Sequence, residues 1–275
     1  MTITTVDAFA ERPFEGNPAA VCVLDAPAPD DWMQALAVEM NLSETAFVLP
    51  EADGTYTLRW FTPAHEEELC GHATLATAHV LYETGRLGAD DEARFDTRSG
   101  RLAVRAEPDG IYMMDFPATT PESCPLPDGF ADAFGTEPVW FGRTRFDLFA
   151  VLHTEADVCA LDPDPGAVAR LGARGVILTA QADADSPYDV VSRFFAPGVG
   201  VPEDPVTGSA HCAIGPYWAD RLGVGTVACF QASARGGHVG VRIQGDRVEL
   251  AGRAVTVYTA ELADAARPKV SPVLS

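Results

Sequence analysis

The apolar positions along the first hundred residues change period several times, and each change marks an element. Residues 2–9 alternate apolar and polar, the two-residue period of a half-buried strand. Glu15-Gly16-Asn17-Pro18 is turn chemistry, and Ala19 to Leu24 is a continuous apolar run expected as a buried strand. A Pro/Asp loop from Asp25 to Asp31 precedes Met33, Leu36, Ala37 and Met40, whose spacing predicts a helix that begins at Asp31 or Trp32 and stops near Asn41. Residues 42–49 then form a strand, with Glu44 just ahead of its apolar part, and Tyr56 to Phe61 alternates again. From Gly71 to Thr84 a helix is predicted that carries almost no charge before Glu83. Ala73, Leu75, Ala76, Ala78, Val80 and Leu81 leave nearly every face apolar or small, as in a central helix wrapped by a curled sheet. Strands at 93–97, 101–107 and 110–116 follow, the last two joined by Pro108-Asp109-Gly110.

Pro117 to Pro127 has four prolines and almost no periodicity, which marks a linker between a first domain, 1–116, and a second, 128–265. The second half restarts with strands near 136–142 and 146–152, a short helix at 166–171, and strands at 175–179 and 189–195. A loop over 196–206, a helix from Gly208 to Leu222 and strands at 226–231, 238–244, 246–251 and 253–260 complete it, and a loose tail is expected from Ala265. The order repeats that of the first half, and so do local sequences. Trp60-Phe61-Thr62-Pro63 with Glu66-Glu67-Glu68 and Cys70-Gly71-His72-Ala73 answers to Phe194-Phe195-Ala196-Pro197 with Glu203-Asp204 and Thr207-Gly208-Ser209-Ala210. Both helices end alike, in Gly85-Arg86-Leu87-Gly88 and Asp220-Arg221-Leu222-Gly223. One unit used twice predicts an α+β protein of two pseudo-symmetric domains, each a curled, mostly antiparallel sheet around a central helix, with both helix N-termini facing one cleft.

Composition narrows the function classes. The formal net charge is −21, which repels nucleic-acid phosphates and anionic lipid, so no nucleic-acid or membrane partner is expected. Helix N-termini still attract a carboxylate locally. Lys269 is the only lysine, so a Schiff-base lysine has no plausible position and a G-x-x-x-x-G-K-[ST] phosphate loop cannot be written. Six scattered cysteines without a C-x-x-C point to reduced thiols. With no basic n-region and no apolar run near the ~20 residues that span a bilayer, a soluble cytoplasmic protein is expected.

Any one of 40 acidic residues faces water by default, but two stand out. Glu44 sits where a carboxylate has no packing reason to be, and desolvation there would raise it toward a general acid/base; its bland reading is a turn residue. Asp204 lies between Pro202 and Pro205, which stiffen the loop; its alternative is an early helix cap. His72 opens the first central helix, whose positive end favours a neutral imidazole able to donate to a carboxylate or pass a proton; a core histidine is the alternative. Ser209 matches it in position and suits either an N-cap or anion binding. The amides at Gly71 and Gly208 can meet a carboxylate without a Cβ in the way. Cys70, just before a helix N-terminus, would be a low-pKa thiolate if the helix end dominates. His65, Glu66, Glu67, Glu68, Cys70 and His72 are dense in metal-ligand types, yet Leu69 breaks H-E-x-x-H and no metal is expected. A G-x-S-x-G elbow and a G-x-G-x-x-G fingerprint are both absent.

These residues, taken in order, resemble the PhzF family of phenazine-biosynthesis-like proteins. The matching segments are Asp7-Ala8-Phe9, Gly16-Asn17-Pro18-Ala19-Ala20-Val21, Leu42-Ser43-Glu44-Thr45-Ala46-Phe47, Arg59-Trp60-Phe61-Thr62-Pro63, Leu69-Cys70-Gly71-His72-Ala73-Thr74, Arg193-Phe194-Phe195-Ala196-Pro197-Gly198 and Glu203-Asp204-Pro205-Val206-Thr207-Gly208-Ser209-Ala210-His211. The resemblance implies a diaminopimelate-epimerase-like fold with the site between two similar domains, and a cofactor-free isomerase, usually a homodimer, acting on a small carboxylate-bearing metabolite. It implies Glu44 as the proton-moving carboxylate, His72, Asp204 and Ser209 as polar partners, and Gly71 and Gly208 as backbone donors. Related amino-acid epimerases use two cysteines; here Cys70 holds the first place and Thr207 the second, which argues against a two-thiol racemase. A binding protein that keeps the cleft without catalysis is the rival reading.

Overall fold

The computed structural model describes residues 1–268; Lys269 and the rest of the expected tail lie outside the described residues. The chain divides into two units, Met1–Met114 with the described part of Arg253–Ser275, and Asp115–Gly252. In chain order the first unit holds β1 (Thr2–Ala8), β2 (Asn17–Val23), α1 (Asp30–Met40), β3 (Glu44–Pro50), β4 (Tyr56–Phe61), β5 (Glu66–Glu67), α2 (Gly71–Glu83), β6 (Glu92–Thr97) and β7 (Gly100–Ala106), and its contiguous part ends at Met114, within β8 (Tyr112–Pro117). The second holds β9 (Glu122–Ser123), α3 (Phe130–Phe134), β10 (Trp140–Arg143), β11 (Leu148–Val151), α4 (Glu155–Cys159), α5 (Pro165–Arg170), β12 (Val176–Gln181), β13 (Val190–Phe195), α6 (Gly208–Leu222), β14 (Thr226–Gln231), β15 (Gly237–Gln244) and β16 (Arg247–Gly252). The last strand, β17 (Ala254–Glu261), pairs antiparallel with β1.

Strand pairing carries the repeat. From β1 through β2, β3, β4 and β6 to β7 the pairs run antiparallel, parallel, antiparallel, parallel and antiparallel. From β10 through β11, β12, β13 and β14 to β15 the series is the same. Parallel neighbours need a crossover, and α1 and α2 supply it in the first unit while α4 with α5, and then α6, supply it in the second. The structure divides the chain differently from the expected boundaries at two places. The 117–127 segment carries β9, which pairs with β10 inside the second unit, and 253–265 belongs to the first unit, because β17 completes its sheet along β1.

The central helices are enclosed as their composition requires. In α2, His72, Ala73, Thr74, Leu75, Ala76, Thr77, Ala78, Val80 and Leu81 are buried. The buried threonines Thr74 and Thr77 satisfy their hydroxyls on the Cys70 and Ala73 carbonyls, 2.6 and 2.7 Å away. In α6, Pro216 cannot donate to the Cys212 carbonyl four residues back; the Thr119 amide donates there instead at 2.9 Å. A separate apolar cluster in the first unit joins α1 through Met33, Leu36 and Ala37 to Phe47 and Phe61. In the second, Phe130 of α3 anchors a cluster with Phe141, Leu152, Val158 and Phe195. Among the described residues no helix is long and apolar enough to cross a membrane.

Candidate active site

Each unit assembles its own set of polar side chains at the N-terminus of its central helix. In the first, α1 ends on Asn41, whose left-handed backbone (φ 50°) turns the chain so that Glu44 opens β3. Glu44 stands beside Ala19 in the parallel pairing of β3 with β2, and β2 itself begins with the fully buried Asn17. His72 and Cys70 come from the start of α2. His72 Nε2 lies 2.9 Å from Glu44 Oε2. That oxygen is buried and makes no hydrogen bond, so the short contact is an ion pair lying off the N–H direction, with lone pairs of Oε2 still unused. On the other side of the ring, the Asn17 side-chain amide faces Nδ1 at 3.2 Å. Its nitrogen suits a neutral ring and its oxygen an imidazolium, so Asn17 can follow the His72 proton by turning its amide over.

Charge at this cluster differs from the helix-end expectation. Burial opposes a proton on His72, but the Cys70 sulfur and the Glu44 carboxylate outweigh it and hold the imidazole well above its ordinary pKa. The expected neutral His72 is therefore corrected to an imidazolium: a full charge at 2.9 Å exceeds the partial charge of a helix end. The expected low-pKa thiolate is corrected as well. Burial, and then Glu44, push Cys70 up to about 11, which leaves a thiol at neutral pH. Its sulfur lies within hydrogen-bond reach of the ring, 3.5 Å from Nδ1 and 4.0 Å from Nε2.

Two of the three acidic residues before α2, Glu66 and Glu67, are paired. Arg59 grips Glu66 with two 2.7 Å bonds and also reaches Asp30, Arg98 adds to Glu66, and His65 pairs with Glu67. Ligand atoms of Glu44, Cys70 and His72 lie within 4.8 Å of one another, the one group among the described residues with metal-ligand spacing. They are donor types that zinc accepts, although Cys70 would first have to lose its proton.

The second unit repeats the clamp and changes the chemistry. Arg193 grips Glu203 at 2.7 and 2.9 Å and lies over Phe195, as Arg59 lies over Phe61. Asp204 follows, with its amide on the Phe194 carbonyl at 3.0 Å. Thr207, at the Cys70 position, is the N-cap residue of α6 and donates its hydroxyl to Asp204 Oδ2 at 2.5 Å. Ser209 is not the cap; it lies inside the first turn and receives a 3.1 Å bond from Arg174 Nη2. Arg174 is itself held by Asp147 through two bonds, of 2.8 and 2.5 Å. Burial pushes the Asp147 carboxyl above the usual range, more than the guanidinium brings it down.

Gly71 and Gly208 open α2 and α6, whose N-caps make no side-chain capping bond and whose first turns carry no acidic residue. The contrast is with α4 and α5, capped by Thr154 and Asp164. Uncapped first-turn amides are what a carboxylate needs. Sequence reasoning named Glu44, His72, Asp204, Gly71, Gly208 and Ser209. The structure brings Glu44, His72 and Gly71 together in the first unit, and Asp204, Gly208 and Ser209 in the second. It adds Asn17, Arg174, Thr207 and Gln231 as their hydrogen-bonding neighbours, with Asp147 holding Arg174 from behind. Of these, Asn17 and Thr207 lay inside segments already singled out, Gln231 lay in the strand run that follows the second central helix, Phe230-Gln231 answering to Phe95-Asp96 after the first, and Asp147 and Arg174 lay in neither.

The family model described as Phenazine biosynthesis-like protein, PhzC-PhzF, matches residues 6–260. An uncharacterized isomerase of Halalkalibacterium halodurans is 46% identical over 261 residues, 94% of this chain and 97% of that protein. An uncharacterized isomerase of Pseudomonas aeruginosa is 49% identical over 265 residues, 95% and 98% of the two chains. The crystal structure of a PhzF-family protein from Enterococcus faecalis superposes with a TM-score of 0.90 at 43% identity, over 95% of this chain and 98% of that one. With a family match over nearly its whole length and isomerases among relatives of almost equal extent, the chain belongs, as an isomerase, to the phenazine biosynthesis-like protein family.

Proposed function

We propose that this isomerase moves a proton on a small carboxylate-bearing metabolite without a cofactor, and that Glu44 takes and returns the proton. The observation that carries the reading is Glu44 Oε2, buried, unbonded and 2.9 Å from the His72 ring. A buried carboxylate oxygen without a hydrogen bond is costly, and a place where it can accept a proton is a functional reason for it to persist. In the proposed step, a C–H bond of the substrate breaks, its proton goes to Glu44, and the negative charge left on the substrate is stabilised by His72 and by helix N-terminal amides. Glu44, whose carboxyl proton exchanges with water, then returns a proton to a different carbon, so atoms and charge balance. The amides at Gly71 and Gly208 hold the substrate carboxylate, and Asp204 and Ser209 contribute polar contacts. That both sets act on one substrate molecule is part of the proposal.

The test is exchange of hydrogen from deuterated water into a panel of small aromatic and amino-acid carboxylates, followed by mass spectrometry. Glu44→Gln is expected to lower incorporation by about 10²–10⁴-fold while ligand binding persists. Exchange at the wild-type rate in that variant removes Glu44 from the mechanism, and binding with no exchange in the wild type favours a non-catalytic binding protein. Non-additive losses on combining Glu44→Gln with Asp204→Asn are expected if the two sets share a substrate.

A further inference from the structure

Gln231, the last residue of β14, is fully buried, and its side chain hydrogen-bonds to the turn that leads into α6. Its Oε1 accepts from the Thr207 amide at 2.9 Å. Its Nε2 donates to the Asp204 carbonyl at 2.7 Å and to Thr207 Oγ1 at 3.2 Å. The backbone amide can only donate, which settles which end of the Gln231 side chain is the oxygen. Nε2 must then donate to the Thr207 hydroxyl, and the single hydroxyl proton of Thr207 is left to point at Asp204 Oδ2, 2.5 Å away. Every donor in this chain has one direction open to it. We infer that Gln231 is a positioning residue that acts through Thr207 to keep Asp204 Oδ2 a permanent acceptor, so that any proton Asp204 carries sits on Oδ1.

Among the described residues the first unit has no counterpart. Asp96 stands in the strand position that matches Gln231, after Phe95 as Gln231 follows Phe230, and it bonds Arg101 and Thr55 rather than the Cys70 turn. The halves have therefore diverged: one keeps a thiol beside a carboxylate with unused lone pairs, and the other keeps a hydroxyl that fixes a carboxylate's charge. The catalytic meaning of this relay rests on the proposed role of Asp204, but its existence is tested without turnover.

Aspartate residues are labelled with ¹³C at the carboxyl carbon, the Asp204 signal is assigned by Asp204→Asn, and its titration is followed by NMR in wild type, Thr207→Val, Thr207→Ser and Gln231→Met. Glu203, Arg193 and Arg235, the charged side chains on the neighbouring segments, are unchanged in every variant. Loss of a hydrogen bond to the charged form raises the midpoint, by roughly one to two pH units for a charge-assisted bond. The midpoint is expected to rise in Thr207→Val, to rise less in Gln231→Met, and to stay at the wild-type position in Thr207→Ser, which restores the hydroxyl. A Thr207→Val midpoint equal to that of the wild type overturns the relay. A wild-type rate of deuterium incorporation in Asp204→Asn counts instead against the functional reading, and leaves the titration result standing.

Discussion

His211 ties the start of α6 to the acid stability of the second unit. It has no solvent exposure; its Nδ1 donates to the Thr207 carbonyl at 2.8 Å, and its Nε2 is buried with no hydrogen bond. Burial is the dominant influence and pushes the imidazole down to about 4 from 6.5. A second proton would need an acceptor at Nε2 that is not there, at the positive end of a helix. The unfolded chain binds that proton near 6.5 and the folded chain only near 4, so the unfolded state is favoured as pH falls through that window. At ~1.4 kcal/mol per pH unit, the loss amounts to about 3 kcal/mol by the bottom of the window. His72 does not mimic the effect: its pKa is raised, so its contribution is complete below 6.5 and fades only as pH rises through its folded value. His79 is lowered by burial and has the same sign as His211, so a paired variant is needed. His211→Asn keeps a donor for the Thr207 carbonyl and removes the titration. Urea unfolding between pH 7.5 and 4.5 should show wild-type stability falling relative to His211→Asn by about 3 kcal/mol. A constant gap between the two proteins across that range would refute the argument.

Two further predictions address the second unit. Arg174→Ala strips Asp147, whose side chain is 3% exposed, of its partner, and should cost about 3 kcal/mol at neutral pH. The cost should shrink toward pH 4, because a carboxyl already raised by burial escapes the penalty by taking a proton; urea unfolding at the two pH values checks this, and equal losses at both would sink it. In Gly215→Ala the new Cβ would lie 2.3 Å from Val241 Cγ1, an overpacking expected to cost about 1–3 kcal/mol. Val241→Ala in the same chain should recover part of the lost Tm, and calorimetry showing no recovery would exclude the clash as the cause.

Much of this protein is legible in its sequence because the signals are local. The helix of 71–83 declares itself through an unbroken run of small and apolar residues, and Asn41 marks the end of α1 through its tolerance of a left-handed backbone. Sequence reasoning also reached Glu44, since a carboxylate opening an apolar strand breaks the pattern around it. Some local signals went unused: Thr154 and Asp157 form a capping box that announces α4. Arg174 gave no signal at all, and Gln231 none beyond its place after Phe230 in the repeat. A glutamine closing a strand and an arginine in a loop acquire roles only when distant segments are brought against them.

What the chain determined alone was the repeated order of elements, a glycine opening each central helix with His72 beside the first, and Glu44 at the start of an apolar strand, since period, turn chemistry and residue type act over a few neighbours. Tertiary structure alone decided which edge β17 completes, which residues clamp Asp204 and Ser209, and that His72 carries a proton. Strand partnership and electrostatic balance depend on groups tens to hundreds of residues apart, and at 2.9 Å a buried carboxylate outweighs what a helix end does to the same ring.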